Sequence, residues 1–247
     1  MSGTAPATRA LVAQARAEVA MTLRRGESVL LALGIPVVLL AFFSVVDVLP
    51  TGSDDAVGFL FPGILALAVM STAMVGLAIA TGFERHYLVL KRLGTTPLGR
   101  PRLLAAKTIA ILVVEAIQVV VLLGEALLLG FDLGDARLGA ALAAMALATV
   151  GFAGIGMLLA GTLPALTTLA AANGLYVVLL LLSGMLIPIG RLPGAVAGFA
   201  RALPSGALAD ALHAAMAGGA VPGRAWLVLA VWAVAAPAAA AAAFRWE

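Results

Sequence analysis

Six long apolar segments, separated by short polar loops, constrain this chain more than any other feature of its sequence. They cover residues 28–46, 58–82, 103–130, 138–161, 165–188 and 224–244. A bilayer core about 30 Å thick takes roughly 20 helical residues to cross, so each segment is long enough to span it. With 63% hydrophobic and 11% charged residues, the chain has too little polar surface to cover one large soluble core. We therefore expect an all-α membrane protein with six transmembrane helices in a single domain, residues 1–247.

The basic residues are divided unevenly between the two sides that six spans define. An even number of spans puts both termini on one side, and 11 of the 15 lysines and arginines lie on or flank that side. Because cytoplasmic loops carry the excess of Lys and Arg, we expect both termini in the cytoplasm and the chain in the cytoplasmic (inner) membrane. The net charge of +3 then reflects topology, and we expect no nucleic-acid partner.

Residues 1–27 have the pattern of a helix that lies on the membrane surface. Leu11, Ala15 and Val19 fall within one apolar arc of a helical wheel, whereas Glu18 falls outside it among arginines. A basic flank of this kind suits anionic lipid headgroups. The segment is therefore predicted to be an interfacial helix in contact with membrane lipid.

The segment 189–223, between the last two spans, is too polar and too often interrupted by proline to cross the membrane again. It predicts two short helices at the outer face, over residues 194–203 and 205–218. We expect Ser205 to be the N-cap of the second, since a serine hydroxyl there satisfies a free backbone N–H.

Several kinds of chemistry are excluded by the residues that the chain lacks. It has no cysteine, which removes thiolate metal sites and cysteine nucleophiles. His86 and His213 lie in different loops without nearby ligands, so no metal site is expected. A phosphate-binding Walker A loop needs Gly-Lys, and neither Lys91 nor Lys107 follows a glycine. The chain is therefore not expected to be an enzyme by itself or to bind a cofactor.

The most informative polar stretch is the loop at residues 83–102, FERHYLVLKRLGTTPLGRPR. Its composition alone leaves two interpretations open, a plain basic cytoplasmic loop and a surface that contacts another protein. The order of its residues resembles the signature of the ABC-2 type permeases, the membrane subunits of ATP-driven exporters. Many members of that family have a glycine where this chain has Leu88. The matching positions are Glu84, Arg85, Leu90, Lys91, Arg92, Leu93, Thr96, Pro97 and Leu98.

This resemblance extends over nearly the whole chain, because the family also has an N-terminal interfacial helix, six spans and short outer helices between spans 5 and 6. It implies that residues 83–102 form a cytoplasmic coupling helix that contacts separate ABC ATPase subunits, which bind the ATP and Mg²⁺. It further implies a second permease copy or a homologue, and export of a hydrophobic or amphipathic substrate, as in the drug-exporter branch. The implied coupling residues are Glu84, Arg85, Leu88, Leu90, Lys91, Arg92, Leu93 and Pro97.

Polar residues inside the spans are candidates for a substrate path, since charge at membrane depth is expensive and commonly functional. Glu115 and Gln118 share one face of span 3 with Glu125. They either line a path or pair at a helix interface. In the ABC-2 family, spans 2 and 5 resemble the walls of a central cavity. The candidate path residues are accordingly Met70, Met74, Glu115, Gln118, Asn173 and Tyr176.

Two other classes of membrane protein are also compatible with six spans. An intramembrane serine protease needs a histidine base at membrane depth, and neither histidine lies in a predicted span. An ion-coupled secondary transporter using Glu115 remains an alternative, although inverted repeats and paired interrupted helices are not apparent. The glycines of residues 151–161 are interpreted as helix-packing positions.

Overall fold

The computed structural model describes residues 7–24, 26–46, 56–89 and 99–244. All regular elements within these ranges are helical. In chain order they are α1 (Ala7–Arg24), α2 (Gly26–Val45), α3 (Ala56–Met70), a π-helical segment (Ser71–Gly76), α4 (Leu77–His86), α5 (Gly99–Leu128), α6 (Leu138–Thr162), α7 (Ala165–Leu182), a 3-10 turn (Ile189–Arg191), α8 (Gly194–Ala200), α9 (Pro204–Met216) and α10 (Gly223–Ala243).

Five helices in the described part of the chain are long and apolar enough to cross a membrane. The predicted first span corresponds to α2, which contains the apolar stretch Ala32–Val45. The prediction of an all-α, multi-pass architecture is confirmed, and the sixth span stays a prediction. The five helices are Ala56–His86, Ala105–Leu128, Leu138–Thr162, Ala165–Leu182 and Gly223–Ala243.

The predicted second span is a continuous helix at the centre of the bundle. α3, the π segment and α4 together form this helix of 31 residues. Every residue from Leu60 to Met70 is buried, and α3 packs against α2, α5, α6 and α9. The π segment interrupts its regular hydrogen bonding, and such segments are rare and often mark functional positions.

Glycines bring α6 close to its neighbours. A methyl group on Gly154 would overlap the backbone at Pro237 of α10, and one on Gly156 would overlap the carbonyl oxygen of Met74. Small residues allow helices to approach closely in lipid, where dispersion forces replace the hydrophobic effect. The predicted packing role of the glycines in this helix is therefore confirmed.

Helix α9 is buried against the other helices of the bundle, and its expected location at the outer face stays a prediction. Ten of its residues are buried, and it packs against α3, α6 and α10. The predicted cap was wrong, because the helix begins at Pro204 with Leu203 as its N-cap. The hydroxyl of Ser205 instead donates a hydrogen bond to the carbonyl oxygen of Leu179 at 3.3 Å.

Candidate coupling site and internal cavity

Arg85 connects the end of α4 to the end of α6. Its two terminal nitrogens, Nη1 and Nη2, donate hydrogen bonds of 3.0 Å to the carbonyl oxygens of Ala160 and Leu163. Carbonyl groups at the C-terminal end of a helix lack partners within the helix and carry the negative end of its dipole. The guanidinium supplies both the missing hydrogen-bond donors and a positive charge, so it holds the two helix ends together.

The adjacent Glu84 contacts different helices and enters a largely buried ion-pair network. The Nζ atom of Lys107 lies 2.6 Å from Oε2 of Glu84 and 3.2 Å from Oε2 of Glu18. The side chains of Lys107 and Glu18 are only 3% and 7% exposed, and Gln14 donates a further 2.9 Å hydrogen bond to Glu18. We call Glu18, Glu84 and Lys107 the charged cluster. It joins α1, α4 and α5 and has a formal charge of −1.

A tight turn ends α4 directly after these two residues. The backbone N–H groups of Tyr87 and Leu88 donate to the carbonyl oxygens of Phe83 and Arg85 at 2.9 and 3.0 Å. Leu88 has a φ of 60°, the left-handed conformation that commonly terminates a helix and that glycine adopts without steric cost. Its side chain is 54% exposed, so the turn directs an apolar residue away from the bundle.

A cavity of about 490 Å³ lies beside the charged cluster. It is bounded by α1, α2, the π segment with α4, and α5, and one residue of α7 reaches it. Most of its lining is apolar. The described lining residues are Glu18, Met21, Thr22, Ala32, Ile35, Ser71, Thr72, Val75, Gly76, Leu77, Ile79, Ala80, Glu84, Lys107, Ala110, Ile111, Val114 and Asn173.

Two hydrogen bonds of one side chain connect three of the elements that bound this cavity. The side-chain amide of Gln118, on α5, donates to the carbonyl oxygen of Ala32 at 2.8 Å and to Oγ1 of Thr72 at 3.0 Å. Ala32 belongs to α2 and Thr72 to the π segment. Gln118 itself is buried behind the lining, so it positions the walls and does not face the space.

The sequence model of the ABC-2 type transporter family matches residues 9–217. The chain belongs to this family. The matched range contains the charged cluster, Arg85 and all the cavity residues. A search of curated proteins finds none that matches the chain. ABC-2 proteins are the transmembrane permease components of ABC transporters; they generally work with ATPase partners and are generally not catalytic themselves.

The described part of this ABC-2 protein contains three of the predicted coupling residues. Glu84 and Arg85 hold the end of α4 on its two sides, and Leu88 occupies the exposed turn. The left-handed backbone of Leu88 gives a physical reason for the glycine that many ABC-2 members have there. Leu90, Lys91, Arg92, Leu93 and Pro97 lie outside the described residues, so their role in a coupling helix stays a prediction.

The candidate path residues occupy different surroundings. Asn173 lines the cavity. Met70 and Met74 are fully buried in the core of the bundle, and Tyr176 packs against that core. Glu115 faces α6, where Thr149 donates a 2.6 Å hydrogen bond to its Oε2. None of these four, nor Gln118, lines this cavity. Whether any of the six residues touches a substrate stays a prediction.

Sequence reasoning missed Glu18 and Lys107. Sequence periodicity places Glu18 on the polar face of a surface helix, and it gives Lys107 no structural partner. Both are in fact buried against each other across 89 residues of sequence. The available signal was that a lysine within an apolar helix needs a partner. Helical periodicity alone does not identify that partner.

Proposed function

We propose that this chain is the permease subunit of an ABC exporter that moves a hydrophobic or amphipathic substrate out across the cytoplasmic membrane. Six spans place both termini in the cytoplasm. Two copies, or one copy and a homologue, form the pathway, and separate ATPase subunits bind ATP and Mg²⁺. Closure of the ATPases displaces the loop at residues 83–102 and switches the pathway between inward-facing and outward-facing states.

The attachment of this loop on both sides of α4 is the observation that supports the proposal most. Arg85 joins the start of the loop to α6, and Glu84 joins it through Lys107 to α1 and α5. A displacement of the loop is therefore transmitted to three neighbouring helices at once. The cavity lies between α1, α4 and α5, so the same displacement changes its shape.

Co-expression with a candidate ABC ATPase and reversal of two loop charges test this proposal. The double variant K91E/R92E should insert into the membrane normally but lose ATP-driven transport, because the basic surface offered to the ATPase is reversed. The measurements are copurification of the ATPase and ATP-dependent transport of a fluorescent amphiphile into inside-out vesicles.

The matched control reverses two exposed bases at the other end of the bundle, R137E/R191E. We expect this control to retain copurification and transport. Wild-type transport by K91E/R92E would contradict the proposed role of the loop. Absence of any copurifying ATPase, together with transport driven by an ion gradient, would contradict the permease function itself.

A further inference from the structure

We propose that the cavity beside the charged cluster is a binding site for an amphiphile with an apolar body and a single cationic group. The identification of this ligand as transported cargo rests on the proposed function. The binding itself requires only this chain.

The dimensions of the cavity fit one small organic molecule. Its volume of about 490 Å³ lies within the range of roughly 300–1,000 Å³ that is typical of small-molecule sites. An extended polymer would need an open groove along the bundle, whereas this space is bounded on several sides by four helices and the π segment. The size therefore favours a compact ligand.

The lining divides into an apolar region and a charged end. The apolar residues favour burial of a hydrocarbon or aromatic body, and Met21 adds a flexible side chain that adapts to different shapes. The hydroxyls of Ser71 and Thr72 and the amide of Asn173 provide a few polar groups on the walls. The larger apolar residues are Met21, Ile35, Val75, Leu77, Ile79, Ile111 and Val114, and the smaller ones are Ala32, Ala80 and Ala110.

The charged residues of the cavity lining determine the sign of the charge that the ligand carries. Among the described lining residues, two carboxylates face one ammonium, which leaves a formal charge of −1. Lys107 already contacts both carboxylates, at 2.6 and 3.2 Å, so its charge is compensated before a ligand arrives. A cation near these three residues is attracted by their net negative charge, and an anion is repelled.

The π segment provides an independent observation that points to a ligand. Four of its six residues, Ser71, Thr72, Val75 and Gly76, line the cavity. A π segment widens the helix locally, and such segments occur frequently at functional sites. Here one face of the irregular part of the central helix forms a wall of the cavity, and its other face, with Ala73 and Met74, packs in the core.

The binding test uses the full-length chain in lipid nanodiscs without any ATPase. Tetraphenylphosphonium and tetraphenylborate are probes of nearly equal size and opposite charge, and equilibrium dialysis against empty nanodiscs corrects for partition into lipid. We expect saturable binding of the cation, with at least tenfold preference over the anion. Equal binding of the two probes, preference for the anion, or no saturable binding would overturn the proposal.

Two substitutions that fill the cavity locate the site. Gly76→Leu and Ala80→Leu each place a larger side chain into the space, and each should weaken cation binding at least tenfold. Ala143→Leu is the matched control, because Ala143 is exposed on α6 and does not line the cavity. Size-exclusion chromatography checks that each variant is folded. Unchanged binding in a folded Ala80→Leu or Gly76→Leu variant would overturn the location.

Glu18→Gln tests the origin of the charge preference. It neutralises the cluster and retains the size of the side chain. We expect cation binding to weaken roughly tenfold, the scale for removing one charge about 10 Å away at an effective dielectric constant of about 20. Binding of the anion should not weaken. If the cation binds as expected but no ATPase drives transport, the binding site is supported and the proposed function is contradicted. If an ATPase drives transport but the cation does not bind, the proposed function is supported and the binding site is contradicted.

Discussion

The two ends of the central helix Ala56–His86 are held in different ways. Near His86, Arg85 and the charged cluster connect the helix to its neighbours by charged hydrogen bonds, and a cavity lies beside them. Near Ala56, a methyl group on Gly63 would overlap the carbonyl oxygen of Met185. There the ring of His213 also packs on the ring of Phe59, with 4.6 Å between the ring centroids. We call these the charged end and the close-packed end.

This difference indicates which end can change shape. Close packing is lost within a fraction of an ångström, so the close-packed end has one favourable arrangement. Ion pairs act over a longer distance, and the neighbouring cavity provides room for side chains to move. We therefore expect rearrangements of the bundle to begin at the charged end and to pivot about the close-packed end.

Removal of the lysine from the charged cluster should have the largest effect. Lys107→Met removes the counter-charge that the lysine supplies to the carboxylates of Glu18 and Glu84, and breaking a buried pair in this way typically costs about 3–5 kcal/mol. The free energy of unfolding, measured by SDS titration in mixed micelles, should fall by this amount. A loss below about 1 kcal/mol would mean that the cluster does not hold the charged end together.

The matched control for this variant lies at the close-packed end. Arg224 and Asp210 form an ion pair of 2.7 Å in which the arginine side chain is 47% exposed. Because exposed pairs contribute about 0–1 kcal/mol, Arg224→Met should have little effect. If the two variants lost equal stability, the contrast between the ends would not depend on burial.

A single methyl group should disturb the close-packed end. Gly63→Ala forces α3 away from the backbone of Met185, and overpacking of this kind costs about 1–3 kcal/mol. The control is Gly174→Ala in α7, where no described residue outside the local helix backbone lies within 4 Å of the new methyl group. There alanine should stabilise the helix by up to about 1 kcal/mol. Equal thermal stability of the two variants would disprove close packing at Gly63.

Much of the fold could be predicted from the sequence, because every helix that crosses the lipid must be apolar over about 20 residues. Apolar length predicted the five clear spans, and the positions of glycine predicted close helix contacts. The cap of α9 was missed since Pro204, which is favoured at a first helical position, precedes Ser205. The helix therefore begins at Pro204, and Ser205 lies inside it and not at its N-cap.

The candidate site was predictable only in part. The order of residues around Glu84 and Arg85 indicated the coupling loop, but not that Glu84 contacts Lys107 and Arg85 contacts the end of α6. Periodicity placed Glu115 and Gln118 on one face of a helix. Their partners Thr149 and Thr72 depend on which helices pack there, and this information is distributed over the whole chain.

Acidification should weaken the close-packed end through His213. Burial lowers the pKa of this ring below its ordinary value of 6.5, although the carbonyl oxygens of Ala209 and Phe59 and the charge of Asp210 act in the opposite direction. Between the lowered pKa and 6.5 the unfolded chain binds more protons than the folded chain. The contribution of neutral His213 to the free energy of unfolding is therefore fully present above pH 6.5 and is lost as the pH decreases through this window.

Unfolding measured from pH 8 to pH 5 checks this expectation, with His213→Gln as the comparison. Glutamine retains a donor for one of the two carbonyl oxygens but does not titrate. The variant should lose the part of the pH dependence that lies below pH 6.5. An identical pH profile in wild type and variant would show that His213 does not contribute.

The smallest effect is expected at Glu115, which lies between the two ends and separates the two transport hypotheses. Its Oε2 accepts a hydrogen bond from Thr149 at 2.6 Å, and its Oε1 has no partner among the described residues. Glu115→Gln preserves size and acceptor, and interhelical hydrogen bonds in membranes contribute only about 0.6 kcal/mol on average. An ABC permease should therefore keep both its stability and its ATP-driven transport in this variant. An ion-coupled transporter that uses Glu115 would lose gradient-driven transport, whereas Thr149→Val, which removes only the hydrogen bond, would retain it.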